Sequence, residues 1–259
     1  MSERAVDSDC LTVRAEGNRR YGSADFEGWV MSLLGTLSFA RVLDLCCGTG
    51  NQLVLYARRA EIVQLIGVDI AERSLARARE RLDGMGAGSR AVLECVALDE
   101  AFSRPSISEA RFDLIACFYG LYYANDPIAV LNDMIDHLAP GGALLVVGPH
   151  GANNRALFDL LARHYKLPDA VLSSVQGFMY EIVLPTIERR LDIEKHTFVN
   201  PVRYPDPEAL LDYWRASTFY ESACEPSVAH DIESHIAVHG GFVLEKHVMA
   251  ALGRKERKR

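Results

Sequence analysis

The feature of this sequence that most constrains its fold is a short apolar run followed by two glycines, within residues 41–52. Residues 42–45 have the composition of a strand buried on both faces, and an apolar helical pattern starts at Leu53. Gly48 and Gly50 lie between them, where the lack of a side chain lets the backbone approach a ligand closely. A strand, a glycine turn and a helix begin a doubly wound α/β sheet, in which ligands bind beyond the carboxyl ends of the strands.

Asp44 and Leu53 indicate which ligand this turn accepts. The dinucleotide fingerprint requires a third glycine, but that position holds Leu53. Asp44, near the end of the strand, would repel a pyrophosphate, whereas a carboxylate there favours a cationic ligand that carries an ammonium or a sulfonium. A nicotinamide-dependent dehydrogenase is therefore a less favoured alternative.

The length and charge of the chain limit its organisation and its partners. With 259 residues it can bury one large core, so we expect a single domain at residues 21–252, between a flexible polar arm at 1–20 and a basic, solvated tail at 253–259. The net charge of −7 argues against a general nucleic-acid binder. No apolar segment is long enough to span a bilayer and no signal peptide is recognisable. The six cysteines have no metal-ligand spacing, and we interpret them as reduced thiols. Together with the lack of a membrane span and of a signal peptide, this predicts a cytoplasmic protein.

Acidic residues follow the next two predicted strands. The strand at residues 63–68 runs into Asp69, about 20 residues after the glycine turn, where an acid meets the ribose in nucleotide-binding βαβ units. The strand at residues 91–98 is followed by Asp99. A fourth strand at residues 112–118 runs into a loop rich in tyrosine, and a Pro-Gly-Gly turn precedes a fifth strand.

Taken in this order, residues 40–150 resemble the class I S-adenosylmethionine-dependent methyltransferases, whose motif I reads Asp-x-Gly-x-Gly-x-Gly. The sequence departs from that motif at the first glycine, which is replaced by Cys46. The resemblance implies a doubly wound, seven-stranded, mostly parallel sheet of the Rossmann-like methyltransferase type, completed by two late strands. Residues 151–192 are extra to that pattern and are predicted to form a helical cover over the substrate site.

The resemblance also implies the cofactor, S-adenosylmethionine, and its product, S-adenosylhomocysteine. Asp69 would accept hydrogen bonds from the ribose hydroxyls, and Asp99, with Glu100 as the alternate, one from the adenine amino group. Tyr21 would either close over the ligand or pack against the start of the next helix, and Asp99 would otherwise cap a helix. The cofactor-binding residues implied in this way are Tyr21, Asp44, Cys46, Gly48, Gly50, Gln52, Asp69, Ile70, Asp99 and Phe118.

The acceptor is expected beside the fourth and fifth strands. His150 is the candidate general base, or else a residue that orients its loop, and Tyr119 and Tyr123 form part of an aromatic wall that attracts cations. The acidic charge and the lack of an Asn-Pro-Pro-Tyr type of motif predict a small-molecule acceptor rather than a nucleic acid. Oxygen, nitrogen and carbon stay open as the methylated atom, and so does the oligomeric state.

Two other interpretations concern a metal and a loss of catalysis. His235 and His239 are one helical turn apart, but no Glu completes a His-Glu-x-x-His motif, so no metal is predicted. The alternative from another class is a cofactor-binding protein without activity that serves as a partner subunit. A blocked acceptor pocket beside residues 119–125 would favour that alternative.

Overall fold

A seven-stranded sheet forms the centre of the protein in the computed structural model, which describes residues 3–35 and 37–256. The strands are β1 Arg41–Leu45, β2 Gln64–Asp69, β3 Ala91–Cys95, β4 Phe112–Phe118, β5 Leu138–Pro149, β6 Asp192–Tyr204 and β7 Phe242–Arg254. Their order across the sheet is β3-β2-β1-β4-β5-β7-β6. The first five strands are parallel, whereas β7 runs antiparallel to both β5 and β6. The predicted seven-stranded, mostly parallel sheet is confirmed.

The helices follow the strands in the alternating order of a doubly wound fold. They are α1 Glu3–Val6, α2 Ser8–Tyr21, α3 Phe26–Leu34, α4 Asn51–Ala57, α5 Glu72–Gly84, α6 Pro127–Asp136, α7 Arg155–Leu161, α8 Asp169–Gln176, α9 Leu184–Glu188, α10 Pro207–Arg215 and α11 Glu225–His239. A π-helical turn, Met179–Val183, precedes α9. Asp126 and Asp206 cap α6 and α10, because each carboxylate accepts a hydrogen bond from a backbone N–H three residues later, and proline follows each cap.

Both faces of the sheet are covered, which explains why its central strands are almost wholly apolar. On one face α3, α4 and α5 contribute buried side chains such as Leu34, Tyr56 and Leu82. On the other face α6, the π-helical turn and α9 pack with residues such as Leu131 and Ile187. A third cluster joins α7, α10 and α11 to the ends of β6 and β7. The sheet thus presents the carboxyl ends of β1, β2 and β4 at one edge.

The N-terminal segment differs from the flexible arm expected at residues 1–20. Residues 3–6 and 8–21 form α1 and α2, and Asp7 caps α2 by accepting hydrogen bonds from the next N–H groups. One end of α2 is held by Arg77 of α5, which donates to the Ser8 carbonyl, and its other half packs at Gly17 against Tyr204. The polar composition that suggested disorder belongs to the outer face of a helix that crosses the carboxyl edge of the sheet. Met1 and Ser2 lie outside the described residues.

The predicted cover at residues 151–192 is divided in the structure. Helix α7 packs into the cluster with α10 and α11, while Met179, Val183 and Ile187 belong to the core under the sheet. Much of this segment therefore supports the fold, because its apolar side chains need partners and find them in the sheet and in α6. The basic tail also begins later than residue 253, since β7 continues to Arg254. Residues 257–259 of that tail lie outside the described residues.

Within the described ranges, no single helix is long and apolar enough to cross a membrane. One bent pair, Asp169–Gln176 with Met179–Glu188, reaches the required length and composition together, at an angle of 58°.

Candidate active site

The glycine turn after β1 is built from residues in the left-handed backbone region. The φ angle is 57° at Cys46, 51° at Gly48 and 78° at Gly50. A Cβ atom on Gly50 would also lie 2.9 Å from Cβ of Ala78, so glycine serves both the turn and the close packing of α4 on α5. An L-residue in this region costs about 1 kcal/mol, and Cys46 bears that strain at the first glycine position of motif I.

The side chain of Cys46 joins this turn to the loop that follows β4. A Cβ atom on Gly120 would lie 2.3 Å from Cβ of Cys46 and 2.4 Å from its Sγ, so the two residues fit together only because one is glycine. A hydrogen bond with the Cys117 thiol, together with burial, raises the pKa of the Cys46 thiol well above its ordinary range. The thiol therefore serves packing between β1 and β4 and stays protonated.

Asp44 is a buried carboxylate with an unsatisfied oxygen. Its side chain is 1% exposed, and its Oδ2 has no hydrogen-bond partner among the described residues. Burial, and next the charge of Asp69, raise the pKa of Asp44 well above its usual value. Since an unpaired buried carboxylate is costly, a cationic or N–H-bearing ligand beside the glycine turn would relieve that cost. The site therefore fits the cationic ligand that the sequence predicts.

Asp69, at the end of β2, accepts hydrogen bonds from two backbone N–H groups at the carboxyl edge of the sheet. Its Oδ2 accepts a hydrogen bond from Gly48 N at 2.8 Å, and its Oδ1 accepts one from Ala71 N at 2.9 Å. Burial raises the pKa of this carboxyl, although the backbone N–H groups oppose the shift. Each oxygen has a further lone pair for the predicted ribose contact. Ile70, which is 48% exposed, follows directly, and Gln52 lies half-buried in the first turn of α4.

Asp99 holds the turn that precedes α6. Its Oδ1 accepts hydrogen bonds from Asn125 N at 2.9 Å and Asp126 N at 3.2 Å. This contact differs from the helix cap that the sequence offered as the alternative to an adenine contact, because the N-cap of α6 is Asp126. The adenine contact of Asp99, and that of the neighbouring Glu100, stay predictions.

Tyrosines line the recess after β4. Tyr119 adopts a φ angle of 54°, and Tyr119 and Tyr123 each keep 38% of their surface accessible. Burial raises the pKa of the Tyr119 phenol, because the ionised form would lose solvation. Tyr122 packs edge-on against Phe178 of the predicted cover, with ring centroids 5.7 Å apart. Phe118, at the end of β4, is buried and meets the ring of Phe26.

His150 and Tyr21 each pack against other aromatic rings. The His150 ring lies 6.2 Å from Tyr180 and 6.1 Å from His247, and its Nε2 is buried with no partner among the described residues. Burial, and next the charge of His247, lower the pKa of His150, which keeps the imidazole neutral at physiological pH. Tyr21 packs on Tyr204 of β6 with ring centroids 5.3 Å apart, and both its cofactor contact and its packing against the next helix stay predictions.

A cluster that the sequence interpretation missed lies beside Tyr119. Lys246, only 7% exposed, places its Nζ 3.8 Å from the ring centroid of Tyr213 and donates to Oδ1 of Asn154. Asn154, with a φ angle of 61°, donates in turn to the Tyr213 hydroxyl at 3.4 Å. A signal did exist, because the buried residues of β7 alternate from Phe242 and place Lys246 on the inward face.

The charges of this cluster act on one another. Burial is the main reason that the pKa of Lys246 is lowered. Burial is the largest influence on the Tyr213 phenol and opposes its ionisation, but Lys246, Arg14 of α2 and Asn154 together outweigh it, so the pKa of that phenol is lowered. Tyr213 also acts electrostatically on Tyr119, and Arg14 acts on Tyr122 and Tyr123. These interactions indicate that the cluster lies near the tyrosines that follow β4.

The two histidines considered as metal ligands stack on one another instead. The rings of His235 and His239 lie 4.4 Å apart, and His235 also packs on Phe242 at 4.6 Å. Across residues 3–35 and 37–256, no group of three or more His, Cys, Asp or Glu side chains is arranged to hold a metal ion.

Comparisons with known proteins agree with this arrangement. Residues 42–142 match the family model described as a methyltransferase domain. The chain is 29% identical over 170 residues to the ubiquinone biosynthesis O-methyltransferase of Bordetella pertussis, covering 64% of this chain and 67% of that protein. It is 28% identical over 205 residues to the trans-aconitate 2-methyltransferase of an Acidovorax species, covering 68% and 75%. In the first four relatives the match spans between about half and two thirds of their length.

Solved structures share the fold at low sequence identity. YcgJ from Bacillus subtilis has a TM-score of 0.62 at 14% identity, with 90% of this chain and 98% of that chain covered. The N-methyltransferase NodS from Bradyrhizobium japonicum, solved with S-adenosylhomocysteine, has a TM-score of 0.52 at 17% identity, with 96% and 99% covered.

Proposed function

Because the chain belongs to the class I S-adenosylmethionine-dependent methyltransferases, we propose that it transfers a methyl group from this cofactor to an oxygen of a small molecule. The observation that carries the proposal is the buried Asp44 carboxylate, whose free Oδ2 lies beside the glycine turn. Oxygen is favoured as the acceptor because His150 has a neutral ring with a free nitrogen, and because one relative is named an O-methyltransferase.

The residues around the glycine turn would hold the cofactor. Asp44 would face its cationic portion, Asp69 its ribose, and the backbone at Gly48 and Gly50 would permit close approach. When bound, S-adenosylmethionine supplies a methyl group on a sulfonium sulfur, which is displaced directly by a nucleophile. In such a displacement the protein mainly aligns the two reactants and excludes water.

The remaining parts of the site would align the acceptor with the cofactor, exclude water and accept a proton. Helix α2 crosses the carboxyl edge and places Leu11 near Gly48, within 3.6 Å of where a Cβ would lie. Tyr119 and Tyr123 wall the recess in which an acceptor would lie. His150, if its free ring nitrogen meets the acceptor hydroxyl, would take the proton that the oxygen loses.

The same proposal covers partners and location. The partial exposure of Tyr119 and Tyr123 supports catalysis over a silent cofactor-binding subunit, because side chains of a blocked acceptor site would be buried. The net charge of −7 favours a small molecule over a nucleic acid. The six cysteines are all free thiols, which supports a reducing compartment such as the cytoplasm.

Calorimetry and turnover test the proposal together. Purified protein should bind S-adenosylmethionine and S-adenosylhomocysteine but not NAD. With a panel of phenols, catechols and hydroxy acids, His150→Ala should lower turnover of the best acceptor by ~10²–10⁴-fold and leave cofactor affinity unchanged. His230→Ala, on α11, is the matched control and should remain active. Binding of NAD without the sulfonium cofactor would overturn the proposal, and lost cofactor affinity in His150→Ala would end the assignment of that base.

A further inference from the structure

Two positively charged side chains converge on the tyrosine recess without a carboxylate to neutralise them. Neither Lys246 nor Arg14 forms an ion pair with an Asp or Glu of the described residues. Other arginines of the described residues also lack such a partner, among them the exposed Arg19 and Arg20 of α2, so an unpaired surface arginine is common in this protein. What distinguishes this site is the burial of Lys246.

Lys246 loses more solvation than Arg14, because Lys246 is buried and Arg14 is only partly buried. Lys246 is 7% exposed, and its partners are the neutral Asn154 oxygen and Tyr213, through the ring face and the phenol. A buried ammonium that lacks a counter-ion loses solvation that neutral partners only partly replace. A ligand with a negative charge would replace it more fully.

Arg14 adds a second positive charge from the covering helix. The charge of Arg14 disfavours protonation of Lys246, which means that the two groups repel each other. The same arginine favours ionisation of Tyr122 and Tyr123, so its field reaches the wall of the recess. An anion between Lys246 and Arg14 would convert this repulsion into two attractions.

We propose that Lys246 and Arg14 form a binding site for a carboxylate group of the acceptor, so that the substrate is an organic acid that also carries the oxygen to be methylated. The inference rests on the proposed function, whose acceptor it narrows to one chemical class. Lys246 would supply charge-assisted hydrogen bonds, and the planar guanidinium of Arg14 suits a carboxylate in particular. The faces of Tyr119 and Tyr213 would contact the carbon body of the acid.

The test compares each acid with its neutral amide. The probes are 3-hydroxycinnamate with 3-hydroxycinnamamide and malate with malamide, titrated into wild-type protein alone and with S-adenosylhomocysteine bound. At least one acid should bind about tenfold or more tightly than its amide, which is the scale of a hydrogen bond to a charged group. An equal affinity for acid and amide in both pairs overturns the inference without need of any variant.

Substitutions then locate the preference. Lys246→Met should bring the acid and amide within about threefold of each other, Arg14→Gln should reduce the preference in part, and Lys246→Arg should retain some of it. Lys195→Met is the matched control, because Lys195 is an exposed lysine of β6 paired with Glu188, and the preference should persist in it. A preference that survives in Lys246→Met, with that variant folded by its thermal transition, would overturn the assignment.

The affinity for S-adenosylhomocysteine separates the two levels of proposal. If the wild-type protein fails to bind it, the proposed function falls, while the acid preference measured on the protein alone still decides the carboxylate site. If it binds and the acids show no preference, the methyltransferase proposal stands and the carboxylate site is wrong.

Discussion

The two halves of the candidate site are constructed in different ways. The cofactor half lies in β1, β2 and the turns that follow them, and its main contact joins Asp69 to Gly48 within one βαβ unit. The proposed acceptor half takes Arg14 from α2, Tyr119 from the loop after β4, Tyr213 from α10 and Lys246 from β7. Backbone conformation therefore specifies the first half, whereas packing between distant segments specifies the second.

This difference predicts how each half responds to substitution. A change in the glycine turn alters the local conformation directly, so its effect should be large and should not depend on the rest of the protein. A change in the acceptor half should act through its neighbours, so its effect should depend strongly on which partner is present.

Gly50→Ala should have the largest effect on stability. It places an L-residue at a φ angle of 78° and a methyl group 2.9 Å from Cβ of Ala78, so we expect a loss of about 2–4 kcal/mol in the free energy of unfolding. Gly84→Ala is the matched control, because a Cβ there meets nothing within 4 Å at the end of α5. Urea denaturation measures both, and equal losses in the two variants would show that the turn is not locally specified.

Gly120→Ala should destabilise the protein by about 1–3 kcal/mol, since its Cβ would overlap Cys46. Cys46→Gly removes the overlapping side chain and relieves the φ angle of 57°. The double variant should therefore recover most of the stability lost in Gly120→Ala. A double-mutant cycle by chemical denaturation measures the coupling, and additive effects would mean that the turn and the loop after β4 do not share this contact.

Asp44→Asn should weaken S-adenosylhomocysteine or S-adenosylmethionine binding by roughly tenfold, because an interaction with a charged group is lost. It should also change how stability depends on pH in the protein without cofactor. Burial raises the folded-state pKa of Asp44, so the folded state keeps a proton that the unfolded state has released. Stability should then fall as the pH rises from about 4 through the folded-state pKa, because the unfolded value lies near the normal value for Asp.

The Asn variant should lose the part of this slope that belongs to Asp44, while Asp69, whose pKa is also raised, should keep its own part. Denaturation at a series of pH values with both proteins provides the measurement. An unchanged slope would show that the Asp44 carboxylate is solvated or paired in solution.

Asp99→Ala should cost about 1 kcal/mol of stability, because Asn125 N and Asp126 N lose their acceptor at the turn before α6. If holding this turn is its main role, cofactor affinity should change little. Isothermal titration with S-adenosylhomocysteine measures this, and a tenfold loss of affinity with unchanged stability would restore the adenine contact predicted from the sequence.

The amino-acid sequence was enough to predict the parallel sheet and the glycine turn of the candidate site. Its apolar runs and glycines fix a parallel α/β sheet, because a strand buried on both faces must be apolar and a left-handed turn favours glycine. The caps at Asp126 and Asp206 are local in the same way, since a cap acts only a few residues away and a proline follows each of them in the sequence. A flexible arm was expected at residues 1–20, but Ser8–Tyr21 form a helix. Composition did not separate the two, because amphipathic surface helices and disordered arms are similarly polar.

The contacts among Lys246, Tyr213 and Asn154 became visible in the folded protein and could not be predicted from the sequence. Lys246 and Tyr213 are 33 residues apart, and Asn154 is further away still, yet the three contact one another because β7 pairs with β5 while α10 packs behind it. No local pattern encodes such a meeting, since it depends on where whole elements pack. The inward position of Lys246 was visible in the alternation of β7, but what it contacts was not. The physical reason is that hydrogen bonds within a turn are set by neighbouring backbone angles, whereas contacts across the fold are set by the burial of entire faces.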